Sequence, residues 1–137
     1  MDPEILLAIQ RWITKADHDL ATAEKMFQEG QEYTDVVCFH CQQTAEKALK
    51  ACLTYAGIHV EKTHYLPKLL DQCLEIDPTF EAFRNNARSL TDYAIEVRYI
   101  EEWKEIEMDE AKRAIVVAAD LLAFVKKKLK DAGIVVL

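Results

Sequence analysis

Glycine and proline are scarce in this chain, three of each in 137 residues. That supply is too small for the many tight turns of an all-β fold. Long apolar runs are missing too; none approaches the ~20 residues needed to cross a bilayer. The opening residues Met1-Asp2-Pro3-Glu4 are acidic where a secretory leader would be basic, so no membrane segment is expected and the chain should remain in the cytoplasm. Excess positive charge is also lacking. Seventeen Lys+Arg against 24 Asp+Glu leave a net charge of −7, which disfavours unassisted binding along a nucleic-acid backbone and leaves that role to a local patch at most. No glycine-rich phosphate loop, Gly-x-Ser-x-Gly elbow or His-Glu-x-x-His helix occurs, so no catalytic residue and no cofactor is assigned on motif grounds.

What remains is 50% hydrophobic and 30% charged, the composition of a globular protein, with a length that suits a single domain over residues 1–137. The apolar positions recur at helical spacing. Ile5, Ile9, Trp12, Ile13, Ala16, Leu20, Ala23 and Phe27 make one stripe on a helix from about Pro3 to Gln28, with Asp2 as its cap and Gly30 as its stop. A second helix, about Glu32 to Ala56, has an apolar arc covering around half its circumference, and Phe39 falls outside that arc. An arc that wide fits either a central helix with three neighbours or a helix shared between its own core and a second subunit. A short third helix is predicted near Tyr65 to Leu74. Asp77-Pro78 opens a fourth, carrying Phe80, Phe83, Ala87, Leu90, Ala94 and Val97. The acidic stretch from Tyr99 to Met108 lacks a period and reads as a loop. Asp109 is placed to cap a last helix through Leu129, whose closing lysines suit the negative end of its dipole. Four long helices and a short one predict an all-α antiparallel up-and-down bundle.

Chemistry-bearing residues are few. Cys38-x-x-Cys41 has half the spacing of a zinc site, but Cys52 would lie roughly 16 Å further along the same helix. His40, His64 and Cys73 show no matching pair spacing. The four cysteines therefore read as core thiols, and no metal is assigned. His64 stands just before a helix, where an imidazole is suited to acid–base work or to contact with an anion; local packing is the plainer account. Arg98, flanked by Tyr93 and Tyr99, has a fork that fits a phosphate, or alternatively an ordinary pair with Glu96, Glu101 or Glu102. Gln43, Lys47 and Lys50 share the polar side of the second helix, where Glu46 offers Lys50 a surface partner four residues away.

These residues carry a family likeness. The run Phe39-His40-Cys41-Gln42-Gln43-Thr44-Ala45-Glu46-Lys47-Ala48-Leu49-Lys50-Ala51 resembles the second-helix signature of HEPN domains (higher eukaryotes and prokaryotes nucleotide-binding). His64-Tyr65-Leu66-Pro67-Lys68-Leu69-Leu70, the stretch from Tyr93 to Arg98-Tyr99, and the opening Trp12…Ala16-Asp17-His18-Asp19-Leu20…Ala23 resemble further blocks of that family in the same order. The resemblance implies an all-α bundle that forms homodimers around a shared cleft. It also implies a minimal nucleotidyltransferase as partner, in some cases as a toxin–antitoxin pair. Carried over by position, it makes Lys47, His64, Arg98 and Tyr99 the polar residues near that cleft, with Gln43 beside them. Ile100 stands where the family commonly has proline.

Many family members are ribonucleases with an Arg-x(4–6)-His motif in the late helices, in which arginine steadies the transition state and histidine moves protons. Here no histidine lies beyond His64, so no late arginine is followed by one. Arg11 and His18 fit the spacing in the first helix, where the family does not keep the motif. The expected function is therefore that of a non-catalytic nucleotide- or substrate-binding subunit. It would act as a homodimer beside a nucleotidyltransferase that supplies the transfer chemistry. The alternatives are a metal-independent endoribonuclease toxin using His64 with Arg98, with RNA as its substrate, and an interaction module with no ligand. Dimerisation is expected from the wide apolar arc and Phe39.

Overall fold

A computed structural model of the chain describes residues 1–94 and 104–136. The first helix, α1, spans Pro3–Glu29, with the Asp2 carboxylate accepting from the Glu4 amide at 2.8 Å and Pro3 in its first turn. Gly30 ends it at φ +107°, a conformation that other residues adopt only under strain. After one 3₁₀ turn, Gln31–Tyr33, the chain enters α2, Thr34–Tyr55. An irregular stretch leads to α3, Leu66–Ile76.

The predicted fourth helix takes a more broken form. Pro78–Phe83 is 3₁₀, α4 covers only Arg84–Thr91, and Asp92–Ala94 is again 3₁₀. The cause is local. Asn85, Asn86, Ser89 and Thr91 are weak helix formers, and the last two turn their hydroxyls onto the carbonyls of Asn86 and Ala87. Phe80, Ala87 and Leu90 nevertheless point inward. Phe80 and Phe83 pin the segment by ring contacts to Phe124, at 5.1 and 4.8 Å between centroids. The last helix, α5, spans Met108–Asp131. Glu107 rather than Asp109 precedes its first turn, and its side chain makes no cap. Asp109 falls inside the turn, where the dipole still favours a carboxylate.

Cross-helix contacts fix the topology. Along α1 the residues Asp19, Ala16 and Trp12 meet His40, Thr44 and Lys50 of α2 in turn, so the two run antiparallel. Lys126 on Asp17, at 2.6 Å, and the Val135 carbonyl on Gln10, at 2.9 Å, set α5 antiparallel to α1 as well. The Ile106 carbonyl accepts from both Gln31 and Thr34, tying the approach to α5 to the start of α2. The result is the all-α bundle the pattern predicts.

Its centre is α2, which packs against α1, α3 and α5. Leu49 and Leu53 are fully buried, each contributing about 1.5–3 kcal/mol of hydrophobic stabilisation. Ala16 and Ala23 on α1, with Ala45, Ala48 and Ala51 on α2, are buried small side chains that let backbones approach closely. The burial runs past the apolar arc to take in Gln42, Thr44, Glu46 and Lys50. Three neighbours therefore account for the width of the arc. Two finer expectations change: Phe39 is half-buried, edge-on to the His40 ring, and Ile5 is exposed. No helix among the described residues is long and apolar enough to cross a membrane.

Candidate functional site

The polar residues of α2 divide between two neighbours. Toward α1, Asp19 receives His40 Nδ1 at 2.8 Å on one oxygen and the Lys47 ammonium on the other. Toward the segment before α3, Glu46 is the hub. Its Oε2 accepts from Lys50 at 2.9 Å, and its Oε1 lies 2.7 Å from His64 Nδ1 and 3.3 Å from Gln42 Nε2. The Gln42 amide also donates to the His64 carbonyl at 3.0 Å, and Gln43 donates to Gln42 Oε1 at 2.7 Å. The Lys50 ammonium sits 5.5 Å from the Trp12 ring centroid, close enough for a cation–π contact.

Glu46 and Lys50, expected as a solvated surface pair, are an interior pair instead. The ion pair forms, but its side chains are only 4% and 7% exposed. Position on the helix alone made them look solvated. Burial comes from the segment carrying His64 and from Trp12, which close over that side of α2, and spacing within one helix contains no such information. A buried pair of this kind persists because several donors converge on the carboxylate.

His64 is the outward-facing member. Its side chain is 67% exposed although Nδ1 is tied to a buried carboxylate. At about 100° per residue, Lys47 and Glu46 differ by one step around α2, with Gln43 and Lys50 between them. The structure thus brings Gln43 and His64 into one network and sets Lys47 on the neighbouring edge, engaged with Asp19. Arg98 and Tyr99, the other expected ligand residues, lie outside the described residues.

The four cysteines are buried, and none forms a disulfide. Burial pushes the Cys52 thiol up to about 12, and raises Cys41 and Cys73 further still. Thiols held neutral in this way are poor metal ligands and nucleophiles. No group of three His, Cys, Asp or Glu side chains among the described residues is placed to hold a metal ion. A separate cavity of about 200 Å³ is lined by Ser89, Asp92, Tyr93, Lys104, Glu105, Ile106 and Glu110. Burial, aided by a hydrogen bond to Glu110, holds the Tyr93 hydroxyl protonated well above its usual range. Three carboxylates against one lysine make this cavity a poor anion site.

No curated protein matches this chain at a significant level. Among solved structures, TT1696 from Thermus thermophilus superposes with a TM-score of 0.78 at 30% identity, covering 88% of this chain and 98% of its own. ST0689, described as an archaeal HEPN homologue, gives 0.71 at 27% identity, covering 88% and 97%. The HEPN domain family matches residues 9–128. That match runs from Ile9 in α1 through nearly the whole of α5, including the α2 polar residues and the His64 segment. The chain belongs to the HEPN domain family.

Proposed function

We propose that this HEPN protein is a non-catalytic subunit that binds a nucleotide or another phosphate-bearing ligand along the α2 strip carrying Gln43, Lys47 and His64. The observation behind this reading is the His64 ring: largely exposed, yet anchored through Nδ1 to a buried carboxylate. An imidazole fixed on one edge and open on the other is prepared to meet an oxyanion or a hydroxyl. Lys47 supplies a cation beside it, and Gln43 an amide. By family position, Arg98 and Tyr99 complete the ligand contacts, with the arginine fork on a phosphate. The working unit is a homodimer, and a minimal nucleotidyltransferase, in a toxin–antitoxin arrangement, supplies the metal and the transfer step.

Calorimetric titration with ATP tests the binding claim. Saturable binding is expected for the wild type, with affinity reduced about tenfold or more in His64→Ala and Arg98→Ala, the loss of one hydrogen bond to a charged group. No saturable binding at millimolar ATP, or binding indifferent to both substitutions, overturns it. Light scattering should give twice the 15.7 kDa chain mass; a monomer at micromolar protein removes the shared cleft.

A carboxylate-anchored histidine also suits proton transfer, which favours one second reading, endoribonuclease action by His64 with Arg98. Incubation with single-stranded RNA separates the two. Cleavage that disappears in His64→Ala replaces the binding reading with the catalytic one.

A further inference from the structure

The chemistry of Glu46 extends the phosphate-binding reading, on which the following step rests. We infer that Glu46 is a positioning residue for His64: it fixes the ring so that Nε2 faces the ligand phosphate, and it sets which nitrogen carries the proton. Lys50 and Gln42 hold Glu46 in the state that does this.

The donors around Glu46 decide its hydrogen-bonding role. Glu46 accepts from the Lys50 ammonium on Oε2 and from the Gln42 amide on Oε1. Both partners can only donate through the atoms they present, so each Glu46 carboxylate oxygen is already engaged as an acceptor. The 2.7 Å contact between Oε1 and His64 Nδ1 therefore has the ring as donor, with the proton on Nδ1. In the neutral ring this leaves the lone pair on Nε2, the nitrogen on the edge away from Glu46. In the protonated ring Nε2 becomes an N–H donor. Either form presents Nε2 to the ligand: the neutral ring accepts from a ligand hydroxyl, and the protonated ring donates its Nε2–H to a phosphate oxygen.

The His64 backbone is held as well, because the Gln42 amide that touches Glu46 also donates to the His64 carbonyl at 3.0 Å. Backbone and imidazole of His64 are thus referred to the same two α2 residues, one turn apart. Such convergence on an exposed side chain is more than packing requires. An exposed histidine with no task has no need of a carboxylate that is itself 4% exposed, since burying that charge is costly unless its partners are arranged around it.

The test compares wild type with Glu46→Leu/Lys50→Met, which removes the carboxylate and its counter-charge together and so leaves no unpaired buried ion. Long-range ¹H–¹⁵N spectra of the His64 ring, taken without ligand at a pH where the ring is neutral, report the tautomer. Wild type should show the Nδ1–H form. The double variant should shift to an exchange average weighted to Nε2–H, while circular dichroism keeps its helical signal. Its ATP affinity should fall about tenfold, and a Gln42→Leu variant should fall between. An Nε2–H ring in wild type, or identical spectra in both proteins, overturns the proposal, and the wild-type spectrum decides even if the double variant fails to fold. If wild type shows the Nδ1–H form but no ATP binding, the tautomer result supports the role of Glu46, and it is the phosphate reading that falls.

Discussion

Two three-residue acid–base clusters, one centred on a carboxylate and one on a guanidinium, sit in contrasting places. On α2, Glu46 joins Lys50 and His64, with the Glu46 and Lys50 side chains 4% and 7% exposed. At the start of α4, Arg84 pairs bidentately with Glu81, at 2.7 and 2.9 Å, and reaches Asp71 at 3.3 Å. There the side chains are 39%, 60% and 63% exposed. Distances do not separate them, since each cluster has contacts of 2.7, 2.9 and 3.3 Å. Burial does, because water screens the outer cluster and cannot replace a lost partner in the inner one. The Asp19–Lys47–His40 cluster is intermediate, at 13%, 21% and 26%. The three form a series in which consequence should track exposure.

The largest effect belongs to Glu46→Ala. It leaves the Lys50 charge buried without its partner, at a cost of about 3–5 kcal/mol. The unfolding midpoint should drop by roughly 10–20 °C, read by circular dichroism. The paired replacement Glu46→Leu/Lys50→Met should restore most of that loss. If Glu46→Ala is as stable as wild type, the inner cluster is no more than a surface pair with less water around it.

The family blocks explain how much of this was legible. Helical periodicity located all five helical segments, since an apolar stripe follows directly from the residue spacing. It overstated the fourth, where Asn85, Asn86, Ser89 and Thr91 weaken the helix without breaking the apolar pattern. The α2 signature announced the family, yet the reason for its polar letters could not be read from it. Gln42, Glu46 and Lys50 repeat every four residues, as a solvated face would. Only the return of the chain at His64, 18 residues beyond Glu46, together with Trp12 from α1, turns that face into an interior. Gln43 and Lys47 stand out by type and position alone, whereas Glu46 reads as no more than a surface partner of Lys50, because its role depends on contacts that cross elements.

Burial also governs the alkaline limit of the fold. Cys41, Cys52 and Cys73 are displaced above their ordinary value of 9.0 chiefly by desolvation. Above pH 9 the unfolded chain releases thiol protons that the native chain retains, so the unfolded state binds fewer protons and stability falls as pH rises. The contribution is intact below pH 9 and is lost progressively toward about pH 12, where Cys52 titrates in the fold. Each thiol contributes up to about 1.4 kcal/mol per pH unit in that window. Urea denaturation at pH 8, 9 and 10 should show the decline, and the combined Cys41→Ala, Cys52→Ala and Cys73→Ala variant should flatten it. A flat wild-type profile would mean that these thiols reach water.

In the half-buried cluster, stability and function should move in opposite directions. Asp19→Asn removes a charged partner from Lys47 and His40, costing about 1–2 kcal/mol. The same change frees the Lys47 ammonium, which a ligand phosphate otherwise has to win from Asp19. ATP should then bind several-fold more tightly to a less stable protein. Weaker binding by Asp19→Asn would show that Lys47 acts from its place in the Asp19 pair, and unchanged binding that phosphate does not approach this edge of α2.

The smallest effect closes the series. Glu81 holds the Arg84 guanidinium in a good fork, and the hydrogen bond lowers the Glu81 carboxyl below its usual range. Every partner is nevertheless open to solvent, where water replaces each contact and salt weakens what remains. Arg84→Ala should move the unfolding midpoint by roughly a degree or two at most, and about 0.5 M NaCl should erase even that difference. The side chain also spans from Glu81 to Asp71 on α3, so a larger, salt-resistant loss would reveal a bracing role between α3 and α4 and break the proposed dependence on burial. Asp71→Asn decides between these outcomes, because it removes the cross-helix contact while leaving the bidentate pair with Glu81 in place.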